Sequence, residues 1–171
     1  MGLIHGDDGL PANEVRIWAK EKHDYLRRYV DICREVRKKY LGIGKGGAAY
    51  FDLFCATGRA RIKDTEEWIE GSAVAAWNTS VTGGAPFSAI YVSDIDEESL
   101  DACVTRLRAL GAPVIPIHAR AVDAAQQMVS SVNRHGLHFA FIDPYNLGAL
   151  DFNIIERLAK LKRMDMMIHL S

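Results

Sequence analysis

Ala49-Tyr50-Phe51-Asp52-Leu53-Phe54-Cys55-Ala56-Thr57-Gly58-Arg59-Ala60-Arg61-Ile62 is the stretch whose reading decides the fold. Residues 49 to 54 form a short apolar run with one carboxylate, Asp52, inside it. The run breaks into small residues, Cys55-Ala56-Thr57-Gly58. A buried parallel strand ending in such a turn lets backbone N–H groups come close to a ligand. An unpaired carboxylate within an apolar strand is costly. Asp52 is therefore expected to accept N–H bonds from the turn or to meet a cation of a ligand. Ala56 tolerates the turn if its φ is negative and is strained if φ is positive.

Upstream, residues 1–13 read as a loose leader, with Asn13 placed to cap a helix over 14–40. That helix is amphipathic: Val15, Trp18, Tyr25, Leu26, Tyr29, Val30, Cys33 and Val36 recur near helical spacing. Its other face carries Lys20, Lys22, Arg27, Arg28, Arg34, Arg37, Lys38 and Lys39, either a solvated face or one turned to phosphates. Gly42-Ile43-Gly44-Lys45-Gly46-Gly47 reads as a linker, because it precedes the strand and lacks the Gly-Lys-Ser/Thr ending of a phosphate loop.

Downstream, 59–71 reads as a loop and Ser72 as the cap of a short helix over 73–80. A second strand over 87–93 leads to Asp94, and Asp96 caps a helix over 97–110 that Gly111 stops. A strand over 114–118, a helix over 120–134, a strand over 137–142, a helix over 152–161 and a strand over 166–170 follow. This alternation predicts a doubly wound, mostly parallel α/β sheet of order 3-2-1-4-5 with a long N-terminal helix. The whole of 14–171, with its core over 48–171, reads as one domain. A ligand crevice is expected where the winding reverses, at the carboxyl ends of strands 1 and 4.

Bulk properties narrow the class. The 171 residues carry a formal net charge of -1, which argues against a protein that holds nucleic acid by overall charge. Cys33, Cys55 and Cys103 are widely spaced and odd in number, as suits a reducing cytoplasm. No apolar run suits a membrane span, and residues 1–11 do not read as a signal peptide. The six histidines and three cysteines show no zinc spacing, so no metal is expected.

Three carboxylates fall at or near strand ends: Asp52, Asp94 and Asp143. Asp94 is placed to take ribose hydroxyls, with Asp96 its competitor; Pro144 fixes a turn that carries Asp143 and Tyr145 into the crevice. Asp52-x-Phe54-x-Ala56-x-Gly58 resembles the first motif of S-adenosylmethionine-dependent methyltransferases, with Ala56 in place of its first glycine. Asp143-Pro144-Tyr145 is similar to the Asp-Pro-Pro-Tyr loop of amino-methyltransferases acting on nucleic-acid bases, with one proline fewer. Trp18-x-x-x-Lys22-His23-x-x-Leu26-x-x-Tyr29, Tyr50-Phe-Asp-Leu-Phe54, Gly58-Arg59, Gly71-Ser72 and Ile142-Asp-Pro-Tyr145 together resemble the three-Cys-motif partner protein (TcmP) family.

The resemblance implies a class I methyltransferase-like fold. It implies S-adenosylmethionine held by Asp52, Phe54, Ala56, Gly58 and Asp94, and a base amine of nucleic acid held by Asp143, Pro144 and Tyr145. Trp18, Lys22 and His23 would close the site. His118-Ala119-Arg120 stands where the family type carries an acid for the adenine amine. That departure supports the alternative: a non-catalytic module that binds a partner protein with a three-cysteine motif. A nicotinamide-dependent dehydrogenase is disfavoured, because no Gly-x-Gly-x-x-Gly follows strand 1. The fifth strand lies at the end of the sequence; a longer protein, or a homodimer joined through that edge, is expected to cover it.

Overall fold

The computed structural model describes residues 2–170. In chain order its elements are β1 (Ile4–His5), β2 (Pro11–Val15), α1 (Trp18–Ile32), α2 (Arg34–Lys38), β3 (Ala48–Asp52), β4 (Arg59–Ile62) and β5 (Trp68–Glu70). There follow α3 (Ser72–Thr82), β6 (Ala89–Asp94), α4 (Glu97–Ala109), β7 (Val114–His118) and α5 (Ala121–Ser131). Then come β8 (Leu137–Ile142), a 3-10 turn at Leu147–Ala149, α6 (Phe152–Leu158) and β9 (Met164–Ile168).

The main sheet has the order β7-β6-β3-β8-β9, and every neighbouring pair is parallel. Counted by its own strands alone, that is the expected order 3-2-1-4-5. Side-chain alternation along β3 divides the core in two. Tyr50 faces α1, α3 and α4 with Leu26, Trp77 and Leu107. Ala49 and Phe51 face α5 and α6 with Met128, Ile154 and Leu158. Burial on both faces explains why β3 is apolar throughout its length except at Asp52. Among the described residues β9 pairs with β8 alone and forms one border of the sheet, β7 the other.

The stretch expected as a leader is instead structured. β1 and β2 join β4 and β5 in a second, four-stranded sheet of order β1-β2-β4-β5. The segment 59–71, expected as a loop, supplies β4 and β5. Asn13 caps no helix; its side-chain oxygen accepts from the Thr57 N–H at 3.1 Å and the Thr57 hydroxyl at 2.7 Å. Arg106 of α4, 7% exposed, pins this layer down. Its Nε and Nη2 donate to the Asp8 carboxylate at 2.7 Å, and its Nη1 to the carbonyls of Pro11 (2.8 Å) and Thr57 (2.6 Å).

The helix expected over 14–40 starts at Trp18 and breaks at Cys33 into α1 and α2. Its basic face is largely neutralised. Lys20 pairs with Glu67, Lys22 with Asp143, Arg27 with Asp24 and Glu70, Arg34 with Asp31, and Lys38 with Glu35. Arg37 is buried, donating to the carbonyls of Ala85 and Val30. Among the described residues no helix is long and apolar enough to cross a membrane.

Candidate functional site

β3, β6 and β8 bring Asp52, Asp94 and Asp143 to the same end of the sheet, their carboxyl ends, at the point where the winding reverses. The turn after β3 has Ala56 at φ 49° and Gly58 at φ 79°. An alanine in the left-handed region stores roughly 1–2 kcal/mol of strain. The turn persists because its amides are tied down. The Ala56 N–H donates to Asp94 Oδ2 at 3.0 Å, and the Thr57 N–H to Asn13. Those two N–H groups were expected to approach a ligand; the protein itself uses them. Gly58 is required for packing: a Cβ there would meet Val74 Cγ2 at 3.2 Å and Cys103 Sγ at 3.3 Å.

Asp94 is 2% exposed. Besides the Ala56 amide, its Oδ1 accepts from the Asp96 N–H at 2.9 Å and its Oδ2 from the Tyr145 hydroxyl at 3.0 Å. Asp96 caps α4 through Ser99, as expected. Tyr145 therefore reaches across to the acid assigned to ribose, where a substrate-side aromatic was expected. Its ring is largely exposed and stands edge-on to Phe54 at 6.0 Å between centroids. Its hydroxyl is sheltered, and that shelter with the Asp94 charge pushes the phenol pKa up. Ile95, next to Asp94, is 63% exposed and offers an apolar platform beside the carboxylate.

Asp52 is fully buried and faces α3. Its Oδ2 accepts from the hydroxyls of Tyr50 (2.8 Å) and Ser72 (2.6 Å); among the described residues its Oδ1 has no partner. Burial pushes its pKa up to about 6, against the pull of the two hydroxyls. Asp143 holds the Lys22 ammonium on Oδ2 and His169 Nδ1 on Oδ1 at 2.9 Å. His23 beside Lys22 is 6% exposed, and burial, followed by the charges of Lys22 and Arg27, lowers its pKa to about 4. It is a neutral wall at pH 7. Pro144 is buried. Trp18 is half-exposed, with the Arg16 guanidinium 5.1 Å from its ring centre.

Of the residues expected to act together, Phe54, Ala56, Asp94 and Tyr145 form one hydrogen-bonded and packed group, and Lys22 joins Asp143 in another. The structure adds His169, Tyr50, Ser72 and Arg106, which sequence reading did not assign. His169 had a signal: it follows the fifth strand, as Asp143 follows the fourth, and parallel pairing of Ile142 with Ile168 sets the two abreast.

A nucleoside cofactor fits part of this set. Ribose hydroxyls can replace the Tyr145 phenol on Asp94; a cationic group would satisfy Asp52 Oδ1 only if that fully buried carboxylate is first uncovered. The Ala56 and Thr57 amides and both Asp143 oxygens are already taken.

The chain matches no protein-family model and no curated protein in sequence. Solved structures do resemble it. Protein LPL1258 from Legionella pneumophila str. Philadelphia 1, described under the family label DUF519, superposes with TM-score 0.59 at 12% identity, over 85% of this chain and 67% of that one. The bifunctional kinase-methyltransferase WbdD superposes with TM-score 0.53 at 12% identity over 96% of this chain. Our chain spans about a third of WbdD, 34% of its length. At such identity the likeness is one of fold: the α/β architecture is similar to that of part of a methyltransferase-containing protein.

Proposed function

We propose that the protein is an S-adenosylmethionine-dependent methyltransferase whose target is a nucleic-acid base amine. The observation that carries this reading is Asp94. A buried carboxylate at the end of the second strand, beside exposed Ile95, faces the β3 turn at the winding reversal of a methyltransferase-like sheet. The bound cofactor supplies the methyl group. Asp94 would hold its ribose and the Ala56–Gly58 turn would position it. Asp52 would meet a positive group, Phe54 would wall the crevice, and Asp143 would hold the target amine. Positioning of this kind, with little covalent work by the protein, accelerates transfer by fixing the reacting atoms. The amine must displace Lys22 or His169 from Asp143, and Tyr145 must leave Asp94 and turn to the base.

Calorimetric titration with S-adenosylmethionine and S-adenosylhomocysteine tests the reading. Binding of either with micromolar affinity is expected. No heat from either, in protein shown to be folded, removes it.

A non-catalytic module that binds a three-cysteine partner protein is the second reading. It is favoured by the saturation of Asp143 and by His118-Ala119-Arg120 after β7, where His118 Nε2 is occupied by the Ile95 carbonyl at 2.9 Å. Co-purification of a partner from the native host, together with no cofactor binding, would establish it.

A further inference from the structure

We propose that the amino end of the main sheet is a docking surface for the phosphate backbone of double-stranded nucleic acid. The inference deepens the nucleic-acid part of the reading above and is independent of methyl transfer. Three loops lead into β3, β8 and β9: residues 39–47, 132–136 and 159–163. They contain Lys39, Lys45, Arg134, His135, Lys160, Lys162 and Arg163, and no Asp or Glu. The loops into β6 and β7, residues 83–88 and 110–113, also lack a carboxylate. Among the described residues none of the six lysines and arginines is in an ion pair. In a chain of net charge -1 this is a local positive field.

The cations form one surface because the loops interlock. The Leu137 N–H donates to the Gly47 carbonyl at 3.0 Å, and the His138 N–H to that of Arg163 at 2.8 Å. Arg163 Nη1 donates to the His135 carbonyl at 3.3 Å, and its guanidinium lies 5.7 Å from the Tyr40 ring centre. Gly46 and Gly136 make the contact possible: a Cβ on Gly46 would stand 2.7 Å from the Gly136 nitrogen. Lys39, Lys45, Arg134, Lys160 and Lys162 are exposed around this backbone knot.

The chemistry selects the ligand. Tyr40 carries the Arg163 guanidinium on its ring and His135 is the one exposed ring of these loops, so they offer no run of aromatic faces on which successive unpaired bases could stack. Phosphate contacts alone position a duplex without reading its sequence. The five- and six-residue strands β3 and β8 put this surface about 17–20 Å from the Asp94 end, at ~3.3 Å per residue. Only an extended polymer can touch both. Ile43 is the single fully exposed large apolar side chain of the loops, a poor anchor for a lipid bilayer.

Fluorescence anisotropy with a fluorescein-labelled duplex of about 20 base pairs, between about 50 and 200 mM salt, tests the surface, since each phosphate contact steepens the salt dependence by about 0.9. The variants are Lys160→Glu/Lys162→Glu and Lys39→Glu/Lys45→Glu. Arg16→Glu/Lys63→Glu, exposed elsewhere, matches their change in net charge. Each patch variant is expected to bind at least about tenfold more weakly, with a log–log salt slope shallower by about 2, and the control to stay near wild type. Equal weakening in patch and control variants overturns the proposal while leaving another nucleic-acid surface open. Wild type that ignores the duplex but binds phosphatidylserine vesicles through these lysines overturns it in favour of a membrane. A wild type that binds no nucleic acid removes the surface and the base-amine target together; the S-adenosylhomocysteine titration then reports separately on the cofactor crevice.

Discussion

The two ends of the five-stranded sheet are built from opposite materials. At the carboxyl end, Asp52, Asp94 and Asp143 are buried or half-buried, and each is bonded to other parts of the chain. At the amino end, the lysines and arginines belong to three loops that contain no carboxylate, and all but the half-buried Arg163 stand in solvent. The difference teaches where charge is held by the fold until a ligand displaces its partners and where it stands free in solvent. A buried charge must be matched within the structure; an exposed one costs little to leave free.

Removing Asp94 should have the largest effect. Asp94→Ala strands the amides of Ala56 and Asp96 and releases the strained turn, for a loss of about 4 kcal/mol in urea or guanidinium unfolding. A loss below about 1 kcal/mol would mean that the carboxyl end is as loosely coupled to the fold as the amino end.

Asp52 makes the contrast pH-dependent. Its folded pKa, about 6, lies above the unfolded value of about 3.9, so the stability tied to its protonated form is complete below pH ~4 and lost as pH rises through 6. The difference corresponds to about 3 kcal/mol between pH 4 and 8. Asp8 works in the opposite sense. Its hydrogen bonds to Arg106 lower its pKa to about 2, and that stabilisation is lost as pH falls from about 4 towards 2. Relative to Asp52→Asn, the parent's stability in denaturation midpoints should fall between about pH 4 and 6 and run parallel above about pH 7; curves that stay parallel from about pH 4 to 6 would refute the assignment.

Ala56→Gly is a smaller, opposite change. Relief of the left-handed alanine outweighs the added freedom of the unfolded chain, and stability should rise by about 0.5–1 kcal/mol, or roughly 2–3 °C in Tm. A fall would show that the turn is not strained. Smallest of all, Lys160→Glu/Lys162→Glu should shift folding stability by no more than about 0.5 kcal/mol. A larger loss would show that the amino-end cations also hold the fold.

Much of the fold was legible because its signals are local. The apolar run at Ala49–Phe54, the Asp96 cap and the Gly111 stop each lie within a few residues of what they control. The small sheet was not legible. Its strands, such as Pro-Ala-Asn-Glu-Val and Arg-Ala-Arg-Ile, are short and polar, and they are stabilised by Arg106 from far along the chain. The basic face of α1 stays open between two readings in the sequence for the same reason: its neutralising partners Glu67, Glu70 and Asp143 are remote in sequence.

By itself, then, the sequence determined the alternating elements, the parallel order and the three carboxylates at the strand ends, since side-chain period and turn chemistry act over a few residues. Only the tertiary structure decided what those carboxylates touch. Tyr145 on Asp94 is a contact 51 residues apart, Lys22 on Asp143 is 121 apart, and Ser72 on Asp52 is 20 apart. Such partners are selected by packing across the sheet, which no local pattern encodes. The same packing brings three loops that carry lysine or arginine into one basic surface, because backbone can meet backbone only where Gly46 and Gly136 leave room.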